Sequence, residues 1–269
     1  MRVVPHGTLA ERKNMQPGLR GCDGDTGKGR VLARLGWAGE KGEHVRVMRR
    51  QVPHRESEHS LTASRPSPTI THLSPGATVK QQIQRWFQDS AETKVKFAAE
   101  HAELIQQVAA VLVDMFRRGN KLLLFGNGGS AMDASHMAAE FVGRYRRDRH
   151  ALAAIALTTD QAKLTCIAND YDFSEIFARQ VSALGRPGDV AIGISTSGNS
   201  PNVLKALETA RDIGMITIGW TGGSGGKLTP LVDHLFVVPS TVVARIQETH
   251  ITLGHVLCEL VDEALLGKE

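Results

Sequence analysis

The sequence predicts an α/β fold in which five parallel strands form one sheet, with helices covering both of its faces. Three observations lead to this prediction. Short apolar runs alternate with longer segments of helical spacing, no solenoid-type repeat is visible, and 41% of the 269 residues are hydrophobic. Apolar strands that alternate with helices are typical of a parallel sheet buried on both sides. The length and the hydrophobic fraction are enough for a sizeable core.

The ordered pattern begins near Thr78 with some forty residues at helical spacing, enough for one long helix or two consecutive helices, and it ends at Gly119. Five strands are predicted after it, at residues 121–126, 151–157, 189–195, 215–220 and 234–239. Helices are predicted at residues 130–145, around 159–168, around 173–184, at 201–214 and, closing the chain, at 243–266.

Residues 1–77 differ in composition from the remaining 192 residues. They contain 13 Lys and Arg against 7 Asp and Glu, one aromatic residue (Trp37) and six of the ten prolines. Such a segment buries too little apolar surface to offset its ordering entropy, so we expect a disordered basic extension. Two alternatives are a misassigned start, with Met48 as an internal start, and a basic arm that touches nucleic acid. The scattered charge disfavours the nucleic-acid arm. Residues 78–269 are predicted to form the folded domain.

Composition also excludes several classes of protein. No apolar run approaches the roughly 20 residues of a membrane helix, and the first residues lack the apolar stretch of a secretory signal. The three cysteines, Cys22, Cys166 and Cys258, are odd in number and far apart. This spacing fits neither a disulfide framework nor a structural cysteine-zinc site, and we expect a reducing cytoplasm.

Two polar loops follow predicted strands, at residues 126–130 (GNGGS) and 195–200 (STSGNS). In a parallel sheet, ligands bind beyond the carboxyl ends of the strands, where helix N-termini present free amides. Densely packed hydroxyls and amides suit a phosphate ester. Ordinary turn and N-cap chemistry uses the same residues, but two such loops favour a phosphorylated small molecule. Neither a Walker motif nor GxGxxG is present, which disfavours an NTPase or a dehydrogenase.

His136 and Glu140 lie one turn apart on the helix that follows the first loop. Residues at i and i+4 share a helix face, so this pair could hold a divalent metal or act as an acid and a base. A surface ion pair is the alternative. The neighbouring residues are mostly apolar, and the sequence by itself leaves the two interpretations balanced.

The closing helix contains a second polar group. On a helical wheel, His255 lies about 20° from Glu248 and about 80° from Gln247, whereas His250 lies about 140° from His255. One histidine can therefore face a site while the other faces elsewhere, and the wheel does not say which. Further polar candidates are Arg245, Asn169 and Asp170, and the run Arg144, Tyr145, Arg146 and Arg147, whose arginines could also form a solvated face.

Three segments resemble bacterial sedoheptulose-7-phosphate isomerases, the phosphoheptose isomerases of the sugar-isomerase (SIS) domain superfamily. They are GNGGSAMDASHMAAEFVGRYR, ISTSGNSPNVLKAL and RIQETHITLGHVLCELVD. The resemblance covers about residues 80 to 267 and implies a flavodoxin-like, three-layer SIS fold. The two loops alone would indicate only a phosphosugar-binding domain. The combination of His136 and Glu140 with Gln247 and His255 is the specific part.

The resemblance implies one zinc ion per subunit, bound at His136, Glu140, Gln247 and His255. It also implies a cytoplasmic homotetramer with active sites at subunit interfaces, so that His255 serves its own or a neighbour's site. The implied substrate-binding residues include Glu140 and Gln247 and are completed by Asn127, Gly128, Gly129, Arg144, Asn169, Asp170, Ser195, Thr196, Ser197 and Ser200.

The implied reaction converts sedoheptulose 7-phosphate into D-glycero-D-manno-heptose 7-phosphate, the first step towards the ADP- or GDP-activated heptoses of bacterial surface polysaccharides such as lipopolysaccharide. Aldose–ketose isomerisation through an enediol needs a base at the proton beside the carbonyl and an acid or metal at the oxygen. We assign Glu140 as the base and His255 as the acid. Glu140 acting mainly as a zinc ligand is the alternative.

Two other functions fit the same loops. A non-catalytic SIS adaptor that binds a replication initiator protein would need neither Glu140 nor His255, and this chain has both. An SIS isomerase or regulator of another phosphosugar, such as a hexosamine phosphate, is disfavoured by the paired histidine, glutamate and glutamine residues. Only the basic segment points towards nucleic acid, and a phosphorylated seven-carbon sugar remains the expected partner.

Overall fold

The computed structural model describes residues 78–267. The expectations for residues 1–77 fall outside this range. Within it, one sheet of five strands has the order β2-β1-β3-β4-β5, and every neighbouring pair is parallel. The strands are β1 (Leu122–Gly126), β2 (Ala154–Ala156), β3 (Val190–Ile194), β4 (Ile216–Gly222) and β5 (His234–Val238).

Six α-helices surround the sheet in the described part of the chain. They are α1 (Val79–Arg117), α2 (Gly129–Val142), α3 (Gln161–Asp170), α4 (Ala178–Leu184), α5 (Pro201–Ile213) and α6 (Val243–Leu266). Two short 3₁₀ helices, Phe173–Glu175 and Gly226–Leu231, complete the regular structure. None of the helices between residues 78 and 267 is both long and apolar enough to span a membrane.

Alternation along the strands divides the interior into two hydrophobic layers. Leu122 and Leu124 of β1 face one layer, formed with α1, α2 and α6. Leu123 and Phe125 face the other, formed with α4 and α5. Successive side chains of a strand point to opposite faces, so an apolar strand buries both. The predicted three-layer α/β fold is confirmed.

The first segment forms a single helix of 39 residues rather than two. A capping box at Thr78 and Gln81 starts it: the Gln81 amide donates to the Thr78 hydroxyl, and the Gln81 side-chain oxygen accepts from the Thr78 amide. One face of its second half packs against α6 and the sheet, and most of its first half is exposed. The helix therefore extends beyond the core of its own chain.

Two predicted elements differ from the structure. The second strand was predicted at residues 151–157 but comprises only Ala154–Ala156, because this edge strand pairs solely with Leu122–Leu124 of β1. The helix predicted around 173–184 is interrupted. The Asp172 carboxylate accepts from the Ser174 amide and starts a separate 3₁₀ turn before α4.

The strand order places a crevice between the ends of β1 and β3. These strands are hydrogen-bonded neighbours, yet the helices that follow them lie on opposite faces, α2 in one layer and α5 in the other. Ligands of doubly wound folds bind at such a switch point. The two loops singled out in the sequence both begin here.

Candidate active site

The first loop turns directly from β1 into α2. Gly128 has φ +56° and is the N-cap residue, so no side chain caps the first amides of α2. The side-chain amides of Asn127 and Asn202 bond reciprocally, each nitrogen donating to the other's oxygen at 2.9 Å. The pair ties this loop to the start of α5, so the two loops predicted to bind phosphate adjoin one another.

The second loop is held in shape by its own hydroxyls. The Ser195 and Ser200 hydroxyls lie 2.9 Å apart, so Ser200 does not cap α5 although it occupies the N-cap position. Gly198 has φ +66°, and a Cβ there would overlap the carbonyl oxygen of Gly225. Only glycine fits this close approach. The loop, which also includes Thr196 and Ser197, therefore places several hydroxyls beside the crevice at the start of α5.

A cavity of about 250 Å³ opens between the two loops and the turn after α3. Its lining combines predicted residues with others that the sequence did not single out: Asn127, Ser200, Asp172, Phe173, Ser174, Pro201 and Asn202. The predicted pair Asn169 and Asp170 stands just before this turn and is exposed. Hydrogen bonds from Asn169 and from the Cys166 thiol hold the pKa of the Asp170 carboxyl below its usual range.

His136, Glu140 and His255 form one cluster, with α2 and α6 supplying its members. The His136 Nε2 lies 3.1 Å from Glu140 Oε1 and 3.4 Å from His255 Nε2. One nitrogen or oxygen atom from each residue lies within 4.8 Å of the other two. The His136 side chain is 46% exposed and that of Glu140 22% exposed, so the cluster is open at the surface of the chain. Two imidazoles and a carboxylate in this arrangement can bind a divalent metal or exchange protons.

Gln247 and His250 occupy different surroundings from His255. The Gln247 amide lies against Gly129, where a Cβ would overlap its nitrogen, so Gln247 joins α6 to the first loop. His250 is fully buried, donates from Nε2 to the Thr221 carbonyl at 3.2 Å and packs near Trp220. The wheel left the choice of histidine open, and the structure brings His255, rather than His250, to His136.

The run after α2 contributes one direct contact to the cluster. The Tyr145 ring stacks on His255 with 5.6 Å between centroids. Burial, with a smaller contribution from the Glu259 carboxylate, raises the pKa of the Tyr145 hydroxyl. Arg144 is exposed, and Arg146 donates to Glu259 at 3.1 Å.

Asp133 lies one turn before His136 on α2 and was missed by sequence reasoning. Burial raises the pKa of its carboxyl to about 6, and His136 partly opposes the shift. Its Oδ2 atom is buried without a hydrogen-bond partner in the described residues. The signal in the sequence was an acidic residue on the same helix as His136 and Glu140, three positions before His136.

The buried His250 ring predicts a loss of stability in acid. Its pKa falls from the ordinary 6.5 to about 4 because burial disfavours the charged form. Between these values the unfolded chain binds a proton that the folded chain does not, so this contribution is complete above pH 6.5 and is lost as pH falls towards 4. The loss amounts to about 3 kcal/mol. His250→Gln keeps a donor for the Thr221 carbonyl but has no titrating ring, so it should remove this acid-induced loss of stability.

Denaturant unfolding of both proteins at pH 7 and pH 4.5 checks this. Asp133 acts in the opposite direction, since its raised pKa stabilises the fold as pH falls below 6, but it is present in both proteins and cancels. Equal acid destabilisation of wild type and His250→Gln would contradict the prediction.

Comparison with known proteins identifies the family. A family model described as "SIS domain" matches residues 85–222. The phosphoheptose isomerase of Thermodesulfovibrio yellowstonii is 54% identical over 187 residues, which cover 70% of this chain and 93% of the relative. That of Aquifex aeolicus is 55% identical over 183 residues, covering 68% and 96%. The chain belongs to the phosphoheptose isomerase family.

Solved structures of this family share the fold. The phosphoheptose isomerase from Neisseria gonorrhoeae is 43% identical with a TM-score of 0.66, and the match covers 69% of this chain and all of that one. The enzyme from Francisella tularensis is 39% identical with a TM-score of 0.67, covering 70% of this chain and all of that one. The family membership inferred from the three sequence segments is confirmed.

Proposed function

We propose that this phosphoheptose isomerase family member converts sedoheptulose 7-phosphate into D-glycero-D-manno-heptose 7-phosphate, the first step towards activated heptoses. One observation carries the proposal. A carboxylate, Glu140, and an imidazole, His255, meet around His136 on helices that also border two loops suited to phosphate. The non-catalytic adaptor is not favoured, because binding another protein would not need this cluster.

The phosphate is assigned to the loop at residues 195–200. The hydroxyls of Ser195, Thr196, Ser197 and Ser200 offer several donors to an anion at the start of α5. The sugar hydroxyls are assigned to the first loop and to Asn169, Asp170 and Gln247, with Arg144 near the substrate. A side-chain amide can both donate to and accept from a hydroxyl, and an ionised carboxylate accepts from one.

The isomerisation moves one proton between two carbons and one between two oxygens. The Glu140 carboxylate removes the proton from C1, beside the C2 ketone, and the resulting carboxylic acid returns it to C2 of the enediol. His255 donates a proton to the C2 oxygen and accepts the proton of the C1 hydroxyl. His136 and Tyr145 contact His255 and fix its ring for this exchange.

A zinc ion fits the donor set, although zinc binding is a proposal. Two ligand atoms about 2.1 Å from a tetrahedral ion stand about 3.4 Å apart. The separations of 3.1 Å and 3.4 Å between His136 and its two partners are close to this value. We propose that His136, Glu140, His255 and Gln247 hold one zinc per subunit. With zinc bound, Glu140 can act as the base only through the carboxylate oxygen that zinc does not take, and His255 can exchange a proton only through its other ring nitrogen. Bound zinc would polarise the substrate carbonyl and stabilise negative charge on its oxygen.

Turnover of sedoheptulose 7-phosphate by the purified protein tests the proposal. Activity should fall at least about tenfold after chelation and return with added zinc, because charge stabilisation by a metal contributes several kcal/mol. Activity that is indifferent to chelation would contradict the zinc site but not the reaction. No turnover from a folded oligomer, with or without zinc, would favour the adaptor.

We further propose a homotetramer with active sites at subunit interfaces. An apolar stripe on the first half of α1, formed by Val79, Ile83, Trp86 and Phe87, is 41–77% exposed, and patches of this kind mark protein contacts. The open His136 cluster would gain enclosure from a second subunit. Light scattering should give the mass of four chains, and Phe87→Glu should lower it. A monomeric wild type would contradict the prediction.

We also propose a cytoplasmic location. Both described cysteines, Cys166 and Cys258, are free thiols, as is usual in a reducing compartment.

A further inference from the structure

Arg149, which sequence reasoning did not single out, lies buried between the two helices that supply the proposed reacting groups. Its guanidinium donates from Nε to Asp262 Oδ1 at 2.6 Å, and both side chains are less than 5% exposed. It also donates to the backbone carbonyls of Glu140 at 2.9 Å, Phe141 at 2.8 Å and His150 at 3.2 Å. A charged group this deeply buried is costly unless it is fully bonded, and this one has four acceptors.

The acceptors of Arg149 connect it to both halves of the cluster. Glu140 and Phe141 lie in the last turn of α2, where carbonyls lack intrahelical partners and the helix dipole is negative. Glu140 is also the residue whose carboxylate belongs to the cluster. Asp262 is seven residues after His255 on α6, which places both on one face of that helix, two turns apart.

We propose that Arg149 is a positioning residue for the isomerisation: its buried ion pair with Asp262 fixes the Glu140 end of α2 against the His255 face of α6. This inference rests on the proposed function, because it takes Glu140 and His255 as the reacting groups. Arg149 touches the backbone of Glu140 and acts through it. A planar guanidinium suits this role because its donors form a rigid fork, whereas a lysine offers one flexible centre.

The test replaces the whole pair, since removing one partner would leave a buried charge and could unfold the protein. Arg149→Met with Asp262→Leu replaces both charges with apolar side chains of similar length, and it also removes the donor of the Glu140, Phe141 and His150 carbonyls. We expect kcat to fall at least about tenfold with KM changed less than about threefold, because a shift near 1 Å of a reacting group costs up to about 10²-fold. Arg149→Lys with Asp262 retained should recover only part of the loss.

A second ion pair, in which Asp189 is buried and Lys121 is 20% exposed, supplies the control. Lys121 and Asp189 stand at the N-terminal ends of β1 and β3, whereas the loops follow the C-terminal ends. Their charged atoms lie 2.5 Å apart, and the Asp189 carboxylate also accepts from the backbone amides of Lys121 and Arg186. Lys121→Met with Asp189→Leu should change thermal stability but leave kcat unaltered. Equal loss of kcat in both double variants, or none in the Arg149 variant, would overturn the inference.

Zinc titration of the metal-free proteins gives a readout that does not need turnover. The Arg149 double variant should bind zinc at least about tenfold more weakly than wild type, since loss of outer contacts to metal ligands commonly costs this much. The Lys121 control should match wild type. Absent turnover in wild type, with this difference in zinc affinity retained, would reject the proposed reaction, and the role of the Arg149 pair would then be to position Glu140 and His255 as zinc ligands. A wild type with neither turnover nor zinc binding would overturn both.

Discussion

Glu140→Gln is expected to reduce turnover of sedoheptulose 7-phosphate by about 10²- to 10⁴-fold while leaving the fold and the oligomer intact, because the amide cannot accept a proton from carbon. The substitution keeps the size of the side chain and an oxygen able to face His136 Nε2, now 3.1 Å from the carboxylate. Initial rates of aldose formation, together with a thermal melt and the oligomer mass, give the result. Near-wild-type turnover would remove Glu140 from the mechanism.

Glu259→Gln is the matched control for this substitution. Glu259 is also a glutamate near the cluster, on α6, but its carboxylate is partly exposed and pairs with the exposed Arg146. Surface ion pairs of this kind contribute little to stability, so the same chemical change should leave turnover within about twofold of wild type. A comparable loss in both variants would mean that the general charge of the region, rather than a base at Glu140, governs the rate.

His255→Ala is expected to lower turnover by about 10²-fold or more, because it removes both a proton donor and a member of the proposed metal set. His255 is only partly buried, and its contacts are with His136 and Tyr145 rather than with the core. Truncation should therefore cost little stability. The measurement is kcat/KM beside the free energy of unfolding from denaturant titration.

His250→Ala should show the reverse pattern. Its ring is fully buried and bonds to the Thr221 carbonyl, so truncation leaves a cavity and an unpaired acceptor worth about 2–4 kcal/mol. Turnover of the folded fraction should remain near that of wild type. If His250→Ala were the less active variant once folded, the assignment of His255 would be wrong.

The sheet could be predicted from the sequence because its strands are short, continuous apolar runs. Leu122 to Phe125 bury both faces, and such runs, repeated between helices, admit few other architectures. The residues at which strands and helices end are harder to predict, since they depend on contacts with neighbouring elements. The second strand ends at Ala156 although β1 continues to Gly126, and no feature of residues 151–157 records that limit.

The residues of the candidate site also fall into those that could be predicted from the sequence and those that could not. His136 and Glu140 could be paired from spacing on one helix, because i and i+4 fix their neighbourhood. The choice between His250 and His255 came from family resemblance, since the wheel does not state which face of α6 packs inward. Arg149 could not be found at all. Its role depends on meeting Asp262, which is 113 residues away in sequence and adjacent only in the fold.

The reciprocal hydrogen bonds between the Asn127 and Asn202 amides determine which chemical groups of a ligand can bind beside them. A molecule that engages either side chain displaces two hydrogen bonds and must return one donor and one acceptor, or leave a polar group unpaired. A hydroxyl supplies both from a single atom. A fully ionised anion supplies acceptors only, so it can satisfy the amide nitrogen but not the oxygen. We therefore expect the anionic end of a substrate to bind at the hydroxyl-rich loop and its hydroxyl-bearing end to bind at the asparagines.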